Sequence, residues 1–475
     1  MTLDRVEDRI AAILTEHSTP GAAVGILHGG EVTELVYGIK DVRTGEPVTT
    51  DTVFQCGSLT KSWTALAFMQ LVDEGMVHLD EPVRTYLPGF RVADPEASAR
   101  ITSRQLLNHT NGIEEAYGDP GEGDDVYERM IAQVADAPQV SPLGHTHGYS
   151  AALGYAILAR IMERIDGKPW DVIMKDRLFR PMGLTGTNSW RGDVDVARAA
   201  TGHLIRSVEE GPIPTPVEYL PRSYGPGGNV TSTAREVLTL AQVFLDGGVA
   251  PNGARVLSAT AIHEMTTSRV PVPDPYMFGP QWALGLVVCD WSGKTVYAHD
   301  GSTIGQNARM RILPGDDLAL VLLTNGGQRE TLYKEVFDVI LAELGTGTIP
   351  PLPNPNLSLA LDPSRYVGVY ERPGTTFEVT ANCGKLLLTL SLDPMHADFM
   401  GLPDRVTYDL LPISETHFLM PPVGPLEDVQ SVAIYDFQHG VAQYLHTNSR
   451  VHPRSSAEAV RSGHEHQGAS LRSPR

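Results

Sequence analysis

A serine and a lysine three residues apart stand at the start of a long apolar run. Ser58 and Lys61 lie in QCGSLTKSWTALAFMQLVDEG, residues 55 to 75. Residues 62 to 72 contain no helix breaker, and Gly75 is placed to end the helix that they predict. A serine hydroxyl needs a proton acceptor before it attacks a carbonyl carbon, and burial favours the neutral amine of a nearby lysine. The start of a helix also offers free backbone N–H groups to an oxyanion.

The spacing of the two residues is not specific when taken alone. A Ser-x-x-Lys pair arises on the order of once by chance in a chain of this length. The alternative interpretation makes Ser58 a helix N-cap and Lys61 a solvated residue of the first turn. However, the helix dipole disfavours lysine in the first turn, and residues 62 to 72 leave little room for a polar face. These two features favour the catalytic interpretation.

Two further motifs place polar side chains at the ends of predicted elements. Tyr149 lies in HTHGYSAALGY, immediately before a predicted helix. His299, Asp300 and Gly301 lie in VYAHDGSTIG, at the end of a β-rich run. A phenol and an imidazole are both groups that can transfer protons during acyl transfer.

Together the three motifs resemble those of the serine β-lactamase and penicillin-binding-protein superfamily, especially its class C β-lactamase-like hydrolases and esterases. In that superfamily Ser-x-x-Lys, Tyr-x-Asn, and Lys-Thr-Gly or His-x-Gly line one cleft. Ser58 and Lys61 match the first motif, and residues 299 to 301 match the third as His-x-Gly. The second motif matches at Tyr149 alone, because Ala151 stands where the superfamily usually carries asparagine.

The resemblance implies a role for each matched residue. Ser58 would be the nucleophile, Lys61 or ionised Tyr149 would accept its proton, and Tyr149 would carry a proton to the leaving group. His299 would replace the lysine of the third motif. The backbone N–H groups of Ser58 and Ser302 would form the oxyanion hole. The other expected substrate-binding residues are Asp300, Gly301, Gly228 and, by its position alone, Arg450.

The elements that must position these residues indicate an α+β fold. An amphipathic helix is predicted first, then a β-hairpin around Gly29 and Gly30. Residues 76 to 270 read as loops and helices, and short β-rich runs from 280 to 325 predict an antiparallel meander followed by a last helix. The superfamily resemblance covers about residues 5 to 345. Residues 1 to 345 are therefore predicted to form a β-lactamase/transpeptidase-like domain, an antiparallel sheet flanked by helices plus an all-α region.

Composition divides the remaining 130 or so residues into three parts. Residues 346 to 364 are rich in proline and asparagine and predict a linker. Residues 365 to 453 contain consecutive short strands, which predict a small all-β barrel that resembles the lipocalin-like domains of some superfamily members. Residues 454 to 475 are polar and are predicted to be a disordered tail.

Charge and composition exclude several classes of partner. The chain has 37 lysine and arginine residues against 57 aspartate and glutamate residues, a formal net charge of −20. Such a field repels a phosphate backbone and an anionic membrane surface, so we expect neither nucleic acid nor a membrane as partner. We see no secretory signal and no apolar run near the roughly 18 residues that a spanning helix needs. These features predict a cytoplasmic protein.

No metal or cofactor is expected. His145 and His147 form a His-x-His pair without a nearby carboxylate, and the acidic residues between 118 and 125 lack EF-hand spacing. The three cysteines lie far apart in sequence and suggest neither disulfide bonds nor a zinc site. His109 is predicted to be a hydrogen-bonded structural histidine.

Three functional classes remain open. The first is a hydrolase of esters or small amides, including D-amino-acid peptides; a periplasmic β-lactamase or cell-wall peptidase would need export. Second, the order of transpeptidase-like domain, linker and lipocalin-like domain also resembles the penicillin-binding-protein-type thioesterases. Those enzymes release or cyclise nonribosomal peptides from a carrier protein and accept a D-residue at the C-terminus. The third class, a non-catalytic binder on the same fold, is disfavoured by the intact Ser58, Lys61 and Tyr149.

Overall fold

The computed structural model describes residues 3–115, 120–207, 210–327, 330–394, 403–424 and 427–455. The chain divides into two compact units, residues 1–351 and 352–475, and each is described by itself. Of the tail predicted at 454 to 475, residues 456 to 475 lie outside the described residues, and so do residues 118 and 119 of the acidic segment. Within the described ranges, no helix is long and apolar enough to cross a membrane.

The first unit contains helices that pack on both faces of a central sheet. Its helices are α1 (Leu3–Glu16), α2 (Thr60–Asp73), α3 (Val83–Tyr86), α4 (Pro95–Arg100), α5 (Ser103–Leu107), α6 (Val126–Gln133), α7 (Leu153–Asp166), α8 (Trp170–Met174), α9 (Gly225–Gly228), α10 (Ala234–Leu245), α11 (Ala259–Thr267) and α12 (Glu330–Leu344). Its strands are β1 (Gly21–His28), β2 (Glu31–Gly38), β3 (Phe54–Gln55), β4 (His203–Ile205), β5 (Pro212–Pro214), β6 (Thr231–Ser232), β7 (Val270–Pro271), β8 (Gln281–Trp282), β9 (Val287–Trp291), β10 (Lys294–Thr303), β11 (Gln306–Leu313) and β12 (Leu318–Thr324).

The central sheet is antiparallel and has the order β2-β1-β12-β11-β10-β9-β8-β7. Side chains alternate across it, so successive residues of β1 enter different cores: Val24 packs with α1 and α12, while Ala23 joins the cluster that contains α2, α7 and α10. The predicted α+β class, with an antiparallel sheet and flanking helices, is confirmed.

Helix α2 is buried on every side over most of its length. Residues 60 to 69 are all buried, with Lys61 among them. A helix without a polar face can exist only inside a core, which is what the unbroken apolar run predicts. Gly75 has a φ of 71°, the left-handed conformation that favours glycine after a helix end.

The second unit is a nearly closed antiparallel barrel of eight strands in sequential order. The strands are β13 (Gly368–Arg372), β14 (Thr375–Asn382), β15 (Lys385–Leu392), β16 (Arg405–Pro412), β17 (His417–Met420), β18 (Gln430–Gln438), β19 (Val441–Thr447) and β20 (Arg450–Pro453). A bridge between Tyr370 and Arg454 links the first strand to the end of the last. Inward-facing aromatic and aliphatic side chains fill the barrel, in agreement with the predicted small all-β barrel.

Candidate active site

Ser58 lies in a 3₁₀ turn, Gly57–Leu59, that leads directly into α2. Gly57 has a φ of 51°, and a Cβ at that position would collide with the backbone nitrogen of Ser302 on β10. Only glycine therefore lets the turn approach the strand this closely. Ser58 is partly exposed while its two neighbours in the turn are buried, so its hydroxyl is the part of the turn that a ligand can reach.

The Lys61 side chain is fully buried and its amine reaches three oxygen atoms. Nζ lies 3.3 Å from Ser58 Oγ and donates hydrogen bonds to the carbonyl oxygens of Ala151, at 2.7 Å, and Gly227, at 2.8 Å. A Cβ at Gly227 would lie 2.5 Å from the Ala151 oxygen and 3.3 Å from Nζ, so a side chain there would displace the amine. The amine is thus held beside the serine hydroxyl by two backbone groups.

Tyr149 lies over the same amine. The centre of its ring is 4.7 Å from Lys61 Nζ, and Phe278 stacks on the ring nearly parallel, with centres 6.4 Å apart. Trp282 packs at 5.4 Å and His109 at 4.6 Å. These aromatic contacts restrict the phenol to the neighbourhood of the Ser58–Lys61 pair.

His109 holds the backbone on both sides of Tyr149. Its Nδ1 accepts a hydrogen bond from the Ser150 N–H at 3.1 Å, and its carbonyl oxygen accepts one from the Gly148 N–H at 2.8 Å. Its own φ is 59°, a left-handed conformation that is uncommon for a residue other than glycine. The sequence predicted a hydrogen-bonded structural histidine here, and the structure shows which segment it supports.

Glu115 anchors the end of the same loop and was not anticipated from the sequence. Its carboxylate accepts a short hydrogen bond from the Ala151 N–H and a second, at 3.2 Å, from the Leu153 N–H. The Leu153 N–H is the first donor of α7, which a helix leaves unsatisfied unless another group accepts from it, and the Ala151 N–H lies two residues before it. Through this contact the Ala151 carbonyl that receives the Lys61 hydrogen bond is fixed in place.

His299 is buried beside the lysine. Burial, and then the charge of Lys61, lower the pKa of His299 to about 4, so the ring is neutral near pH 7. Its Nδ1 donates to the Asp300 carbonyl oxygen at 2.7 Å, and its Nε2 has no hydrogen-bond partner in the described part of the chain. In that tautomer Nε2 is a hydrogen-bond acceptor.

The strand that carries His299 extends beyond its neighbour. β10 pairs with β9 only through residues 294 to 298, while it pairs with β11 from 297 to 303. Among the described residues, no strand pairs with residues 299 to 303 on the β9 side. A Cβ at Gly301 would collide with the Cys56 oxygen and would lie 2.7 Å from the Ser58 nitrogen. The backbone of Ser58 therefore lies next to the backbone of residues 301 and 302.

Within the first unit, two of the other expected substrate-binding residues, Asp300 and Gly228, do not face this group. The Asp300 carboxylate forms an ion pair with Arg311 on the sheet face opposite His299. This position does not favour direct contact between the carboxylate and a substrate. Gly228 faces Leu220 rather than the amine, and it is Gly227 that contacts Lys61. Arg450 begins β20 in the second unit.

His147, singled out in the sequence with His145, is buried in the aromatic cluster, its ring 5.0 Å from that of Trp282. Glu115 and Gly227 carry no motif that identifies them, since their roles arise from contacts across about 40 and 170 residues of sequence. The glycine-rich segment GPGGNV indicates a tight turn, but its sequence does not tell which of its glycines contacts the amine.

Fold and site together define a protein of the penicillin-binding-protein and β-lactamase class, whose members are serine hydrolases. The family model "Beta-lactamase" matches residues 6–344, and the chain belongs to this family. The superfamily resemblance inferred from the motifs is therefore confirmed. Penicillin-binding protein 4 of Amycolatopsis lactamdurans is 40% identical over 372 residues, which cover 78% of this chain and 97% of that protein.

Two solved structures resemble both units. The crystal structure of SurE superposes with a TM-score of 0.78 at 28% identity and covers 95% of this chain and 98% of its own. The crystal structure of SurE with D-Leu gives a TM-score of 0.75 at 27% identity and covers 95% and 99% of the two chains. The likeness therefore includes the C-terminal barrel as well as the family domain.

Proposed function

We propose that this protein is a serine hydrolase or acyltransferase that works through an acyl-Ser58 intermediate. The observation that carries the proposal is the geometry of Lys61, a fully buried amine 3.3 Å from Ser58 Oγ and bonded to two backbone carbonyls. Burying a lysine as an ammonium ion is costly, and a structural role alone does not explain a buried amine beside a reachable serine.

We propose that the amine of Lys61 is neutral in the resting enzyme, because burial disfavours its charged form. A neutral amine has two N–H donors and one lone pair, and the carbonyls of Ala151 and Gly227 take both donors. In that state the lone pair can accept the Ser58 hydroxyl proton, since Nζ and Oγ lie 3.3 Å apart. We propose that Lys61 accepts this proton as Ser58 Oγ bonds to the substrate carbonyl carbon, with ionised Tyr149 as the alternative acceptor.

Collapse of the tetrahedral intermediate completes acyl transfer. Its oxyanion would be held by the backbone N–H groups of Ser58 and Ser302, and removal of one such donor typically costs about 3 kcal/mol of barrier. The bond to the leaving group breaks, and Tyr149 delivers a proton to that group. Water, or an amine of the same substrate, then attacks the ester carbonyl of acyl-Ser58 and regenerates the hydroxyl.

As acyl donor we propose a peptidyl thioester with a D-residue at its C-terminus, carried on a carrier protein. Two observations support this choice, the first for the D-residue and the second for the thioester. The likeness to SurE, one of whose structures contains D-Leu, extends over both units. The family resemblance implies that the asparagine usual at position 151 donates a side-chain hydrogen bond to the substrate amide, which Ala151 cannot do. A thioester needs less polarisation of its carbonyl because its leaving group is better. We keep the prediction, made from sequence position alone, that Arg450 helps to hold the peptide.

Intact-mass spectrometry tests the proposal directly. The protein is mixed with a short peptidyl thioester of a small thiol that ends in a D-residue, and the same peptide ending in the L-residue is the control. We expect a peptidyl adduct with the D-substrate, lost in Ser58→Ala, that resolves to a cyclic peptide. Resolution to linear acid alone favours the hydrolase alternative. Absence of an adduct with the thioester and with a reactive aryl ester contradicts the acyl-enzyme mechanism and favours the binding-protein alternative.

A further inference from the structure

A buried cluster of charges lies behind the strand that borders the candidate site. Arg309 and Arg311 project from β11 on the face opposite His299, and their residues are only 6% and 3% exposed. Asp300 pairs with both: Arg311 donates to the two carboxylate oxygens, and Arg309 Nε lies 3.8 Å from one of them. The ring of Tyr333 covers both guanidinium groups, and Glu330 accepts from Arg309 at 2.9 Å.

Burying two guanidinium groups is unfavourable compared with apolar side chains of similar volume, even when they are paired. The cluster therefore adds little net stability that leucine or methionine could not supply. One contact of Arg309 points to a different role. Its Nη1 donates to the carbonyl oxygen of Gly301 at 3.3 Å, in addition to the Ala308 carbonyl at the same distance.

The Gly301 carbonyl and the Ser302 N–H belong to one peptide group. In a trans peptide the C=O and the N–H point in opposite directions within one plane. Gly301 pairs with Ala308 on β11. Because its carbonyl faces β11 and Arg309, the Ser302 N–H faces the open edge of β10, toward the turn that carries Ser58.

We propose that Arg309 is a positioning residue for the oxyanion hole, acting through the Gly301–Ser302 peptide. A cation at the carbonyl end of a peptide group stabilises the charge distribution in which the oxygen is negative and the N–H more positive, so Ser302 becomes a stronger donor. A guanidinium hydrogen-bonded to Glu330, with the Asp300 carboxylate and the Tyr333 ring beside it, also keeps the peptide from rotating when charge develops. This inference rests on the proposed function, because it assumes that an oxyanion forms beside Ser302.

Arg311 is a matched control within the same cluster. It lies on the same strand two residues away, is equally buried, pairs with the same Asp300 and contacts the same Tyr333 ring. Its guanidinium donates to the Met310 carbonyl, however, and not to Gly301. Replacing Arg311 also removes one buried positive charge. The contact between Arg309 and the Gly301 carbonyl does not involve Arg311, so we expect it to remain.

The test compares Arg309→Met, Arg309→Lys and Arg311→Met with the parent. Two quantities are measured: kcat and KM for an aryl ester, and the inhibition constant of a boronic acid, whose tetrahedral adduct with Ser58 places an oxygen in the oxyanion hole. For Arg309→Met we expect kcat and boronate affinity to fall in parallel by about tenfold, with KM changed less than about twofold. For Arg311→Met we expect a lower melting temperature but boronate affinity within about threefold of the parent.

Arg309→Lys keeps the charge between Asp300 and Glu330 and serves if the methionine variant does not fold. Arginine uses one nitrogen for Glu330 and another for the Gly301 oxygen, and lysine has a single nitrogen for both, so we expect an intermediate loss of boronate affinity, about threefold or more. Unchanged boronate affinity in a folded Arg309 variant overturns the proposal, and so does an equal loss in Arg311→Met. A catalytic Ser58 must bind the boronate and form an acyl-enzyme in the parent protein. If the parent does neither, the proposed function is wrong, and the role of Arg309 falls with it.

Discussion

His299 makes the free energy of unfolding of the first unit depend on pH in a defined window. Burial, and after it the charge of Lys61, lower the pKa of His299 from 6.5 to about 4 in the folded protein. Burial is the larger cause, so the direction is the same when Lys61 is neutral. Asp300 and Arg311 lie on the opposite face of the sheet and also act on the ring through their charges. Burial raises the pKa of Asp300, but the charges of Arg311 and Arg309 outweigh it and hold that pKa below its usual value, which favours the carboxylate.

Between pH 6.5 and about 4 the unfolded chain binds a proton at this residue and the folded chain does not. The free energy of unfolding therefore rises with pH across the window. At about 1.4 kcal/mol per pKa unit, a shift from 6.5 to about 4 corresponds to roughly 3 kcal/mol. This stability is complete above pH 6.5, is lost as the pH falls toward 4, and falls no further at lower pH.

Urea denaturation of the parent and of His299→Asn at pH 7, 5.5 and 4 measures this contribution. All five tryptophans lie in the first unit, so their fluorescence reports its unfolding without the barrel. Asparagine does not titrate, and its side-chain N–H can replace the Nδ1 donor to Asp300. We expect the parent to lose about 3 kcal/mol more than the variant between pH 7 and 4. The exposed His263→Asn is the control and should follow the parent. A difference between parent and His299→Asn below about 1 kcal/mol would refute the neutral buried ring.

Three further predictions concern the loops and strand around Ser58. Gly301→Ala, whose Cβ would collide with the Cys56 oxygen, should reduce acylation of Ser58 at least about 100-fold, whereas Gly315→Ala, with open space at its Cβ, should not. His109→Leu loses the acceptor for the Ser150 N–H and should lower kcat about tenfold. His109→Asn keeps an acceptor and tolerates the left-handed backbone, so its kcat should be close to that of the parent. Equal kcat values in the two variants would contradict a positioning role for His109. Ala151→Asn should raise turnover of an amide more than that of a thioester, measured with matched substrates, and equal gains would contradict the role assigned to that side chain.

The sequence predicted the features that depend on local spacing. Ser58 and Lys61 lie one turn apart at the start of one helix, so their proximity follows from helix geometry alone. The burial of α2 follows from its unbroken apolar run, and the antiparallel meander follows from short β-rich runs and turn residues. Tyr149 and His299 could be brought to the same site only through the family resemblance, since no local pattern joins them.

Some features of the site could not be inferred from the sequence, and one could have been inferred but was not. Gly227 and Glu115 act through backbone contacts between distant segments, which composition does not reveal. Asp300 is different: strand side chains alternate, so a residue next to His299 must face the other side of β10. That alternation alone predicts a role for Asp300 away from the substrate, which is where the structure places its carboxylate.

Position 151 shows how two parts of catalysis can separate in this chain. The backbone of Ala151 does two structural tasks, because its carbonyl receives the Lys61 hydrogen bond and its N–H is held by Glu115. Neither task needs a side chain, so alanine leaves the arrangement of Ser58 and Lys61 intact. Compared with asparagine, alanine lacks a side-chain hydrogen-bond donor to the substrate. This loss matters more for an amide than for an ester or a thioester, because the amide carbonyl is the least electrophilic of the three and its leaving group is the poorest. An intact nucleophile with weaker polarisation of an amide is the combination that suits a thioester, and it links the substitution at 151 to the proposed acyl donor.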